Sequence, residues 1–134
     1  MIAGVGRAPI IEVEPISLAD DELLARLFRT LSEASRLRIM EVLMISERAT
    51  GSTELHQAEI VRAVGLSQSR VSEHLACLVW CGFVSARIEG RRTYYKVADP
   101  MVYRLVDLAR KLLESNEAGI ASCRRIDNAA EGIS

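Results

Sequence analysis

The hydrophobic positions between Leu18 and Leu31 repeat with the period of an α-helix. The spacings of one and three residues place one set of side chains on a single face; they are Leu23, Leu24, Leu27, Phe28 and Leu31. Acidic residues 20–22 come just before this set, where the N-terminal dipole of a helix favours negative charge. The pattern predicts an amphipathic helix over residues 18–31.

Two further stretches have helical periodicity. Residues 33–45 predict a second helix, with its buried face formed by Leu37, Met40, Val42 and Leu43. The polar residues 46–52 predict a loop. Asp99-Pro100 opens a last helix, predicted over residues 101–114, whose apolar face consists of Val102, Leu105, Val106, Ala109, Leu112 and Leu113. Residues 1–17 lack a sustained period and predict a flexible arm, and residues 115–134 predict a polar tail.

The middle of the chain has the pattern of two helices joined by a tight turn. Residues 53–64 predict a short helix that ends at Gly65, a typical C-cap residue. Ser67 is a favourable N-cap for the next helix, predicted over residues 68–81. In that helix a stripe of apolar residues faces the core; it consists of Val71, Leu75 and Leu78. This order predicts a helix-turn-helix, with the second helix as the recognition helix.

A β-hairpin is predicted directly after the recognition helix. Residues 83–89 alternate as a strand, residues 93–97 are rich in aromatic and β-branched side chains, and a Gly90-containing turn joins them. A hairpin with arginines at its tip in this position predicts a wing. The sequence therefore predicts a mainly α fold with a small β-hairpin, a winged helix-turn-helix domain over residues 18–114.

The distribution of charge indicates contact with a polyanion. The net charge is −1, but residues 60–96 carry six basic against two acidic side chains, a local charge of +4. A solvated charged face is the alternative interpretation of the charge alone. We expect Arg91 and Arg92 to contact phosphate or the minor groove, and the start of the recognition helix to contact bases or phosphates. The full set of predicted DNA contacts is Ser67, Gln68, Ser69, Arg70, Ser72, His74, Arg91, Arg92 and Tyr94.

Length and composition exclude several classes of protein. A chain of 134 residues with 49% hydrophobic residues is typical of one globular domain. No apolar run is long enough to span a membrane. Three cysteines without an export signal predict free thiols in the cytoplasm. The sequence contains no catalytic constellation, so we do not expect an enzyme.

Two cysteines lie one helical turn apart on the recognition helix. Cys77 and Cys81 share a face at this spacing, and two neighbouring thiolates suit a soft metal ion. Both flank the core stripe, so packing is the alternative role. Cys123 is a third thiol, in a segment where packing gives no reason for it. His74, three residues before Cys77, is a further candidate ligand, with DNA contact or packing as its alternatives.

Three segments resemble a known family. They are LSEASRLRIMEVLM at 31–44, LSQSRVSEHLACLVWCGFV at 66–84 and EGRRTYYKV at 89–97, and together they resemble the ArsR/SmtB family of metal-sensing repressors. The resemblance implies a homodimeric winged-helix repressor that releases its operator when metal binds. Within the family, the cysteine pair with a tail cysteine is similar to the cadmium/lead sensors of actinobacteria. This similarity implies Cys77, Cys81 and Cys123 as ligands of Cd(II) or Pb(II), with Cys123 supplied by the partner protomer.

The chain also departs from other members of that family. Residues 53–59 read TELHQAE and lack the paired cysteines of its arsenic and cadmium sensors, and the last helix lacks the His/Asp site of its zinc and nickel sensors. Hg(II) remains possible because it also favours thiolates. The alternatives are a thiol redox sensor of the same fold and a winged-helix module without a DNA target. The expected partners are inverted-repeat operator DNA and a second copy of the chain, joined through helices 18–31 and 101–114, with no membrane partner.

Overall fold

The fold was analysed in a computed structural model that describes residues 14–15, 18–51 and 54–127. Its elements are α1 (Leu18–Leu31), α2 (Ala34–Thr50), β1 (Leu55–His56), α3 (Gln57–Val64), α4 (Gln68–Trp80), β2 (Val84–Glu89), β3 (Arg92–Val97) and α5 (Pro100–Ala121). The predicted fold, mainly helical with a small hairpin, is confirmed. Among the described helices, none is long and apolar enough to cross a bilayer.

The turn between α3 and α4 is stabilised by both predicted caps. Gly65 has a φ of 72°, a left-handed conformation that glycine adopts without steric cost. Its backbone N–H donates to the Val61 carbonyl at 3.2 Å. The Ser67 hydroxyl accepts a hydrogen bond from the Arg70 backbone N–H at 3.3 Å, which begins α4. Local sequence therefore fixes the geometry of the helix-turn-helix.

The wing is an antiparallel hairpin of β2 and β3. Glu89 lies opposite Arg92, so Gly90 and Arg91 form a two-residue loop. Gly90 has a φ of 61°, as the first position of such a loop requires. β1 pairs with the other edge of β3 and gives the sheet order β1-β3-β2. The sequence pattern missed β1 because two residues are too few to show alternation.

The core lies among α2, α3, α4 and the inner ends of the strands. It consists of Leu31, Ile39, Met40, Leu43, Met44, Ile60, Val64, Val71, Leu75, Leu78, Phe83, Val84, Val97, Val102 and Val106. The predicted stripe on α4 is confirmed, since its three residues are fully buried. On the predicted face of α2, Met40 and Leu43 are buried, whereas Leu37 and Val42 are only partly buried. α5 reaches the core through its first two turns.

Three predicted boundaries were wrong. α2 continues to Thr50 through the predicted loop, and the Arg48 guanidinium holds the Asp107 carboxylate of α5 at 2.9 and 3.2 Å. α3 begins at Gln57, not at residue 53, because β1 pairs with β3. α5 continues to Ala121, beyond the predicted end at residue 114, and its added residues 115–121 are exposed. The predicted arm, residues 1–17, lies outside the described residues apart from residues 14–15.

α1 and α5 leave apolar side chains uncovered. Leu24 of α1 is 53% exposed and Leu112 of α5 is 66% exposed. Beside them, a groove of about 360 Å³ runs between α1, α2 and α5, with Phe28, Leu105 and Leu113 among its lining residues. Exposed apolar surface of this kind is typical of a protein–protein interface.

Candidate functional site

The thiols of Cys77 and Cys81 lie together at the C-terminal end of α4. The Cys81 backbone N–H donates to the Cys77 carbonyl at 3.0 Å, and the two side chains are hydrogen-bonding neighbours. Both line a cavity of about 410 Å³, which we name the thiol pocket. Its other lining residues are Leu23, Arg26, Leu27, Arg29, Thr30, Arg36 and Phe83. The pocket thus joins α1, α2 and α4.

The walls of the thiol pocket are apolar and basic. Three arginines line it and no acidic residue does, in a chain whose net charge is only −1. The Thr30 hydroxyl donates to the Arg26 carbonyl at 3.2 Å and lies 3.6 Å from the Cys81 sulfur. This contact connects the end of α1 directly to the thiol pair.

The environment of Cys77 shifts its acidity. Burial raises the pKa of the Cys77 thiol above its ordinary value, the positive charge of Arg36 opposes this rise, and Cys81 adds to it. The net effect on the pKa is upward. Arg36 is therefore close enough to act electrostatically on the thiol pair.

Cys123 lies apart from the other two thiols. It follows α5, and its backbone N–H donates to the Ile120 carbonyl at 3.4 Å. Among the described residues, no three His, Cys, Asp or Glu side chains are grouped to hold a metal ion. The described part of one chain therefore brings together Cys77 and Cys81, a donor pair that fits a soft ion, but does not bring Cys123 to them.

His74 is engaged within the fold. Its Nδ1 lies 3.2 Å from Oε2 of Glu33, and its side chain is only 14% exposed. Glu33 is also the N-cap of α2, accepting a hydrogen bond from the Ser35 backbone N–H at 3.3 Å. His74 thus connects α4 to the start of α2, whereas the other predicted DNA contacts on α4 are exposed.

The start of α4 and the wing border one concave basic surface, which we name the basic cleft. Two adjoining cavities of about 490 and 310 Å³ form it, and both are lined by His56, Ala58, Gln68 and Arg92. Arg62 lines the first and Arg91 the second. Ser67, Ser69, Arg70 and Ser72 are exposed on the same end of α4. The structure thus brings the predicted residues of the helix start and of the wing tip to one surface.

The arginines in this part of the chain have different partners. Arg62, Arg70, Arg91 and Arg92 are exposed, and none of them forms an ion pair with another described residue. Arg87, by contrast, is held by the Glu54 carboxylate at 3.0 and 3.2 Å and by Glu89 at 2.7 Å. Its charge is therefore compensated within the protein, although it contributes to the local +4.

Tyr94 is half-buried at the root of the wing. The Arg87 guanidinium lies 4.8 Å from the centroid of its ring, and the His56 ring meets it edge-on at 6.1 Å. These contacts give Tyr94 a packing role between the wing and the start of α3, in addition to the DNA contact predicted for it.

Sequence reasoning missed several residues of both surfaces. Thr30 and Arg36 lie far from the cysteines in sequence, and only folding brings them to the thiol pocket. Arg62 is one of the six basic residues of segment 60–96 and lines the basic cleft, but it is not among the predicted DNA contacts. His56 caps α3, where its backbone N–H donates to the Glu59 carboxylate at 3.1 Å. A capping box at this position was the available signal.

Known proteins resemble this chain over most of its length. Residues 34–86 match the family model described as bacterial regulatory protein, arsR family. The probable mercury resistance operon repressor of Streptomyces lividans is 44% identical over 107 residues, covering 80% of each chain. The transcriptional regulator CmtR of Mycobacterium bovis is 38% identical over 84 residues, covering 63% of this chain and 65% of CmtR.

Solved structures agree with the sequence relatives. The crystal structure of Rv0081 from Mycobacterium tuberculosis is 30% identical with a TM-score of 0.67, covering 79% of this chain and 100% of that one. The homodimeric winged helix-turn-helix domain of Mb0332 from Mycobacterium bovis, a possible ArsR-family regulator, is 29% identical with a TM-score of 0.61, covering 78% and 93%. On its fold, its helix-turn-helix and these relatives, the chain belongs to the ArsR family of bacterial regulatory proteins.

Proposed function

We propose that this protein is a transcriptional repressor that releases its operator DNA when a soft heavy-metal ion binds to its thiols. The observation that carries this proposal is the position of the thiol pair at one end of α4. The other end of the same helix presents exposed residues to the basic cleft. One helix of 13 residues therefore connects the thiol pair, which suits a metal ion, to the basic cleft, which suits DNA.

Cys77, Cys81 and the partner's Cys123 form the proposed ligand set. The first two are adjacent, and the third does not approach them within the described part of the chain. α1 and α5 expose the apolar faces through which we propose that two copies associate. The homodimeric state of the Mb0332 domain supports this arrangement.

The proposed ions are Cd(II) and Pb(II), with Hg(II) as a specific alternative. All three favour thiolate sulfur over carboxylate oxygen and imidazole nitrogen, and no described Asp, Glu or His side chain lines the thiol pocket. The resemblance of the cysteine pair and tail cysteine to those of the family's cadmium/lead sensors supports Cd(II) and Pb(II). The name of the Streptomyces lividans relative, a probable mercury resistance operon repressor, favours Hg(II).

DNA binding is proposed to use two copies of α4. In a two-fold dimer the paired recognition helices match the two half-sites of an inverted repeat. The exposed arginines of the cleft would bind phosphates, and Gln68 and Ser69 would contact base edges. Metal binding releases the DNA if the DNA-free conformation binds the ion more tightly than the DNA-bound conformation does. The difference between these two affinities sets how strongly DNA binding is weakened.

The test of the ligand set is a titration followed in the near ultraviolet. Cd(II), Pb(II) and Hg(II) are added separately to the reduced protein, and thiolate-to-metal charge-transfer absorption identifies the ion and the number of sulfur ligands. We expect three sulfurs per Cd(II) or Pb(II) ion. Cys77→Ser and Cys81→Ser should each lose most of the absorption.

A redox-sensing role is separated from metal sensing by comparing oxidant with metal. A disulfide between Cys77 and Cys81 would distort an intact α4, since their backbone positions are fixed by the helix. We therefore expect Cd(II), but not peroxide, to release DNA. Release by peroxide, without charge-transfer absorption from any of the three ions, would contradict the proposal.

A further inference from the structure

The charge of a metal–thiolate centre depends on the ion that it contains. A divalent ion held by three thiolates has a net charge of −1, whereas a trivalent ion held by three thiolates is neutral. Placing a net charge inside a protein is costly unless a group of opposite charge lies beside it. A half-buried thiol pocket therefore distinguishes these two kinds of centre through the charges on its walls.

Arg36 reaches the thiol pocket from α2. Its Nη1 donates to the Thr30 carbonyl at 3.2 Å, and its side chain is 25% exposed. Its Nε is buried and has no hydrogen-bond partner among the described residues. Glu33 forms an ion pair with this Nε at 3.9 Å, but at that separation its carboxylate is beyond hydrogen-bond distance. A buried N–H of this kind is rarely left unsatisfied.

We propose that Arg36 is the counter-charge of the metal–thiolate centre on Cys77 and Cys81, and that it makes the pocket select anionic centres over neutral ones. The inference rests on the proposed metal-sensing function and names a residue that determines its specificity. Arg36 is a positioning and charge-balancing residue, not a ligand. Its free N–H donates to a thiolate sulfur, which accepts hydrogen bonds more strongly than a neutral thiol.

Arg36 is distinguished from the other two arginines of the pocket. Arg26 and Arg29 project from α1 and are exposed, so water and salt screen their charges. Arg36 alone combines partial burial with a hydrogen bond to Thr30, which holds its side chain at the pocket that Cys77 and Cys81 line. We therefore expect the selectivity to depend chiefly on Arg36.

Two probes give centres of different charge on the same thiols. Cd(II) binds three thiols as a centre of charge −1 and releases three protons. Phenylarsine oxide binds two thiols, exchanging its oxygen for two As–S bonds with release of one water, and the resulting centre is neutral. The second probe requires only the Cys77 and Cys81 pair, so it reports directly on the pocket that Arg36 lines.

The experiment compares Arg36→Gln, Arg36→Lys and a matched control with the wild-type full-length protein. The control is Arg38→Gln, because Arg38 lies on the same helix and also donates to a backbone carbonyl, that of Val64, outside the pocket. Cd(II) affinity is measured by competition with a chelator. Phenylarsine oxide binding is measured by loss of titratable thiols. Thermal unfolding of each apo-protein reports whether it is folded.

Arg36→Gln should weaken Cd(II) binding by roughly 10- to 100-fold, the range expected for a hydrogen bond to a charged group. Binding of phenylarsine oxide to Arg36→Gln should change by less than about threefold. Arg36→Lys should retain much of the Cd(II) affinity, and Arg38→Gln should resemble wild type.

Equal losses for both probes, or no loss for Cd(II), would overturn the inference while leaving the proposed function intact. A wild-type protein that binds phenylarsine oxide but not Cd(II), Pb(II) or Hg(II) would overturn the proposed function itself, and the inference with it.

Discussion

At the scale of single residues, the proposed metal site depends on the position of Cys123. It follows the last turn of α5, whose exposed residues Leu112 and Ile120 belong to the face proposed for dimerisation. A second copy packed against this face would carry its own Cys123 toward the first copy. In the proposed site, the third thiol would therefore connect metal binding to the arrangement of the two protomers.

We predict that Cys123→Ser folds, dimerises and binds the operator like wild type but responds poorly to Cd(II). A site with two thiolates holds the ion less tightly and no longer connects the tail to α4. The measurement is operator release against Cd(II) concentration. Mixed dimers of Cys123→Ser with Cys77→Ser/Cys81→Ser should retain one complete site if ligation crosses the dimer. Full response by the Cys123→Ser homodimer would rule out the three-thiolate site.

Glu33 stabilises the start of α2 in its ionised form. Burial tends to raise the pKa of its carboxyl, but the Ser35 hydrogen bonds and the charges of His74 and Arg36 lower it below the ordinary value of 4.5. Its contribution to stability is therefore complete above pH 4.5 and is lost as the pH falls through the lowered pKa of the folded state.

Glu33→Gln should accordingly lower stability at pH 7 by about 0.3–1 kcal/mol, the usual contribution of a negative charge at a helix N-terminus. The difference from wild type should disappear at acidic pH, where the protonated Glu33 resembles glutamine. Thermal unfolding at several pH values measures it. Glu73→Gln on exposed α4 surface serves as the control and should show no such dependence. A difference that persists unchanged at low pH would show that the charge of Glu33 is irrelevant.

At the scale of elements, the wing contributes charge without fixed partners. Arg91 and Arg92 occupy its turn and first strand position and form no ion pair with other described residues. Contacts with phosphate fix the position of a protein on DNA but carry no direct sequence information. The wing should therefore add affinity to every DNA duplex alike.

We predict that Arg91→Ala with Arg92→Ala weakens binding to operator and to random duplex equally and reduces the salt dependence of both. Losing two phosphate contacts in each protomer, four in the dimer, should lower the slope of log affinity against log salt by about 4. Gln68→Ala should instead reduce the preference for the operator. Fluorescence anisotropy over a range of salt concentrations measures both effects. An altered operator preference at unchanged salt slope would contradict the role assigned to the wing.

The sequence predicted those elements whose signals are local. The Gly65 and Ser67 caps and the stripe on α4 placed the helix-turn-helix correctly, because each depends on neighbouring residues. The end of α2 was missed because polar residues continue a helix once tertiary contacts such as Arg48–Asp107 support it. The end of α5 was missed because residues 115–121 do not continue its apolar spacing. Thr30 and Arg36 of the thiol pocket were missed because only the packing of α1 and α2 against α4 brings them to the cysteines.

At the scale of the whole molecule, the exposed faces of α1 and α5 predict a dimer. Leu24→Glu should dissociate it, weakening association by about 100-fold or more, because two-fold symmetry places the charge in the interface twice. Sedimentation equilibrium measures the change. Ile88→Glu is the control, since Ile88 is also apolar and exposed but lies on β2. Dissociation by the control, or an unaffected dimer with Leu24→Glu, would place the interface elsewhere.

The most direct test of the central claim is release of DNA by metal. The reduced protein is bound to labelled promoter DNA of its own gene, and fluorescence anisotropy is followed while Cd(II), Pb(II) or Hg(II) is added. We predict that at least one of these ions releases the wild-type protein at concentrations that saturate its thiols, whereas Cys77→Ser/Cys81→Ser stays bound. Release of the double variant at the same metal concentration, or a wild-type protein that stays on its DNA with its thiols saturated, would contradict the account.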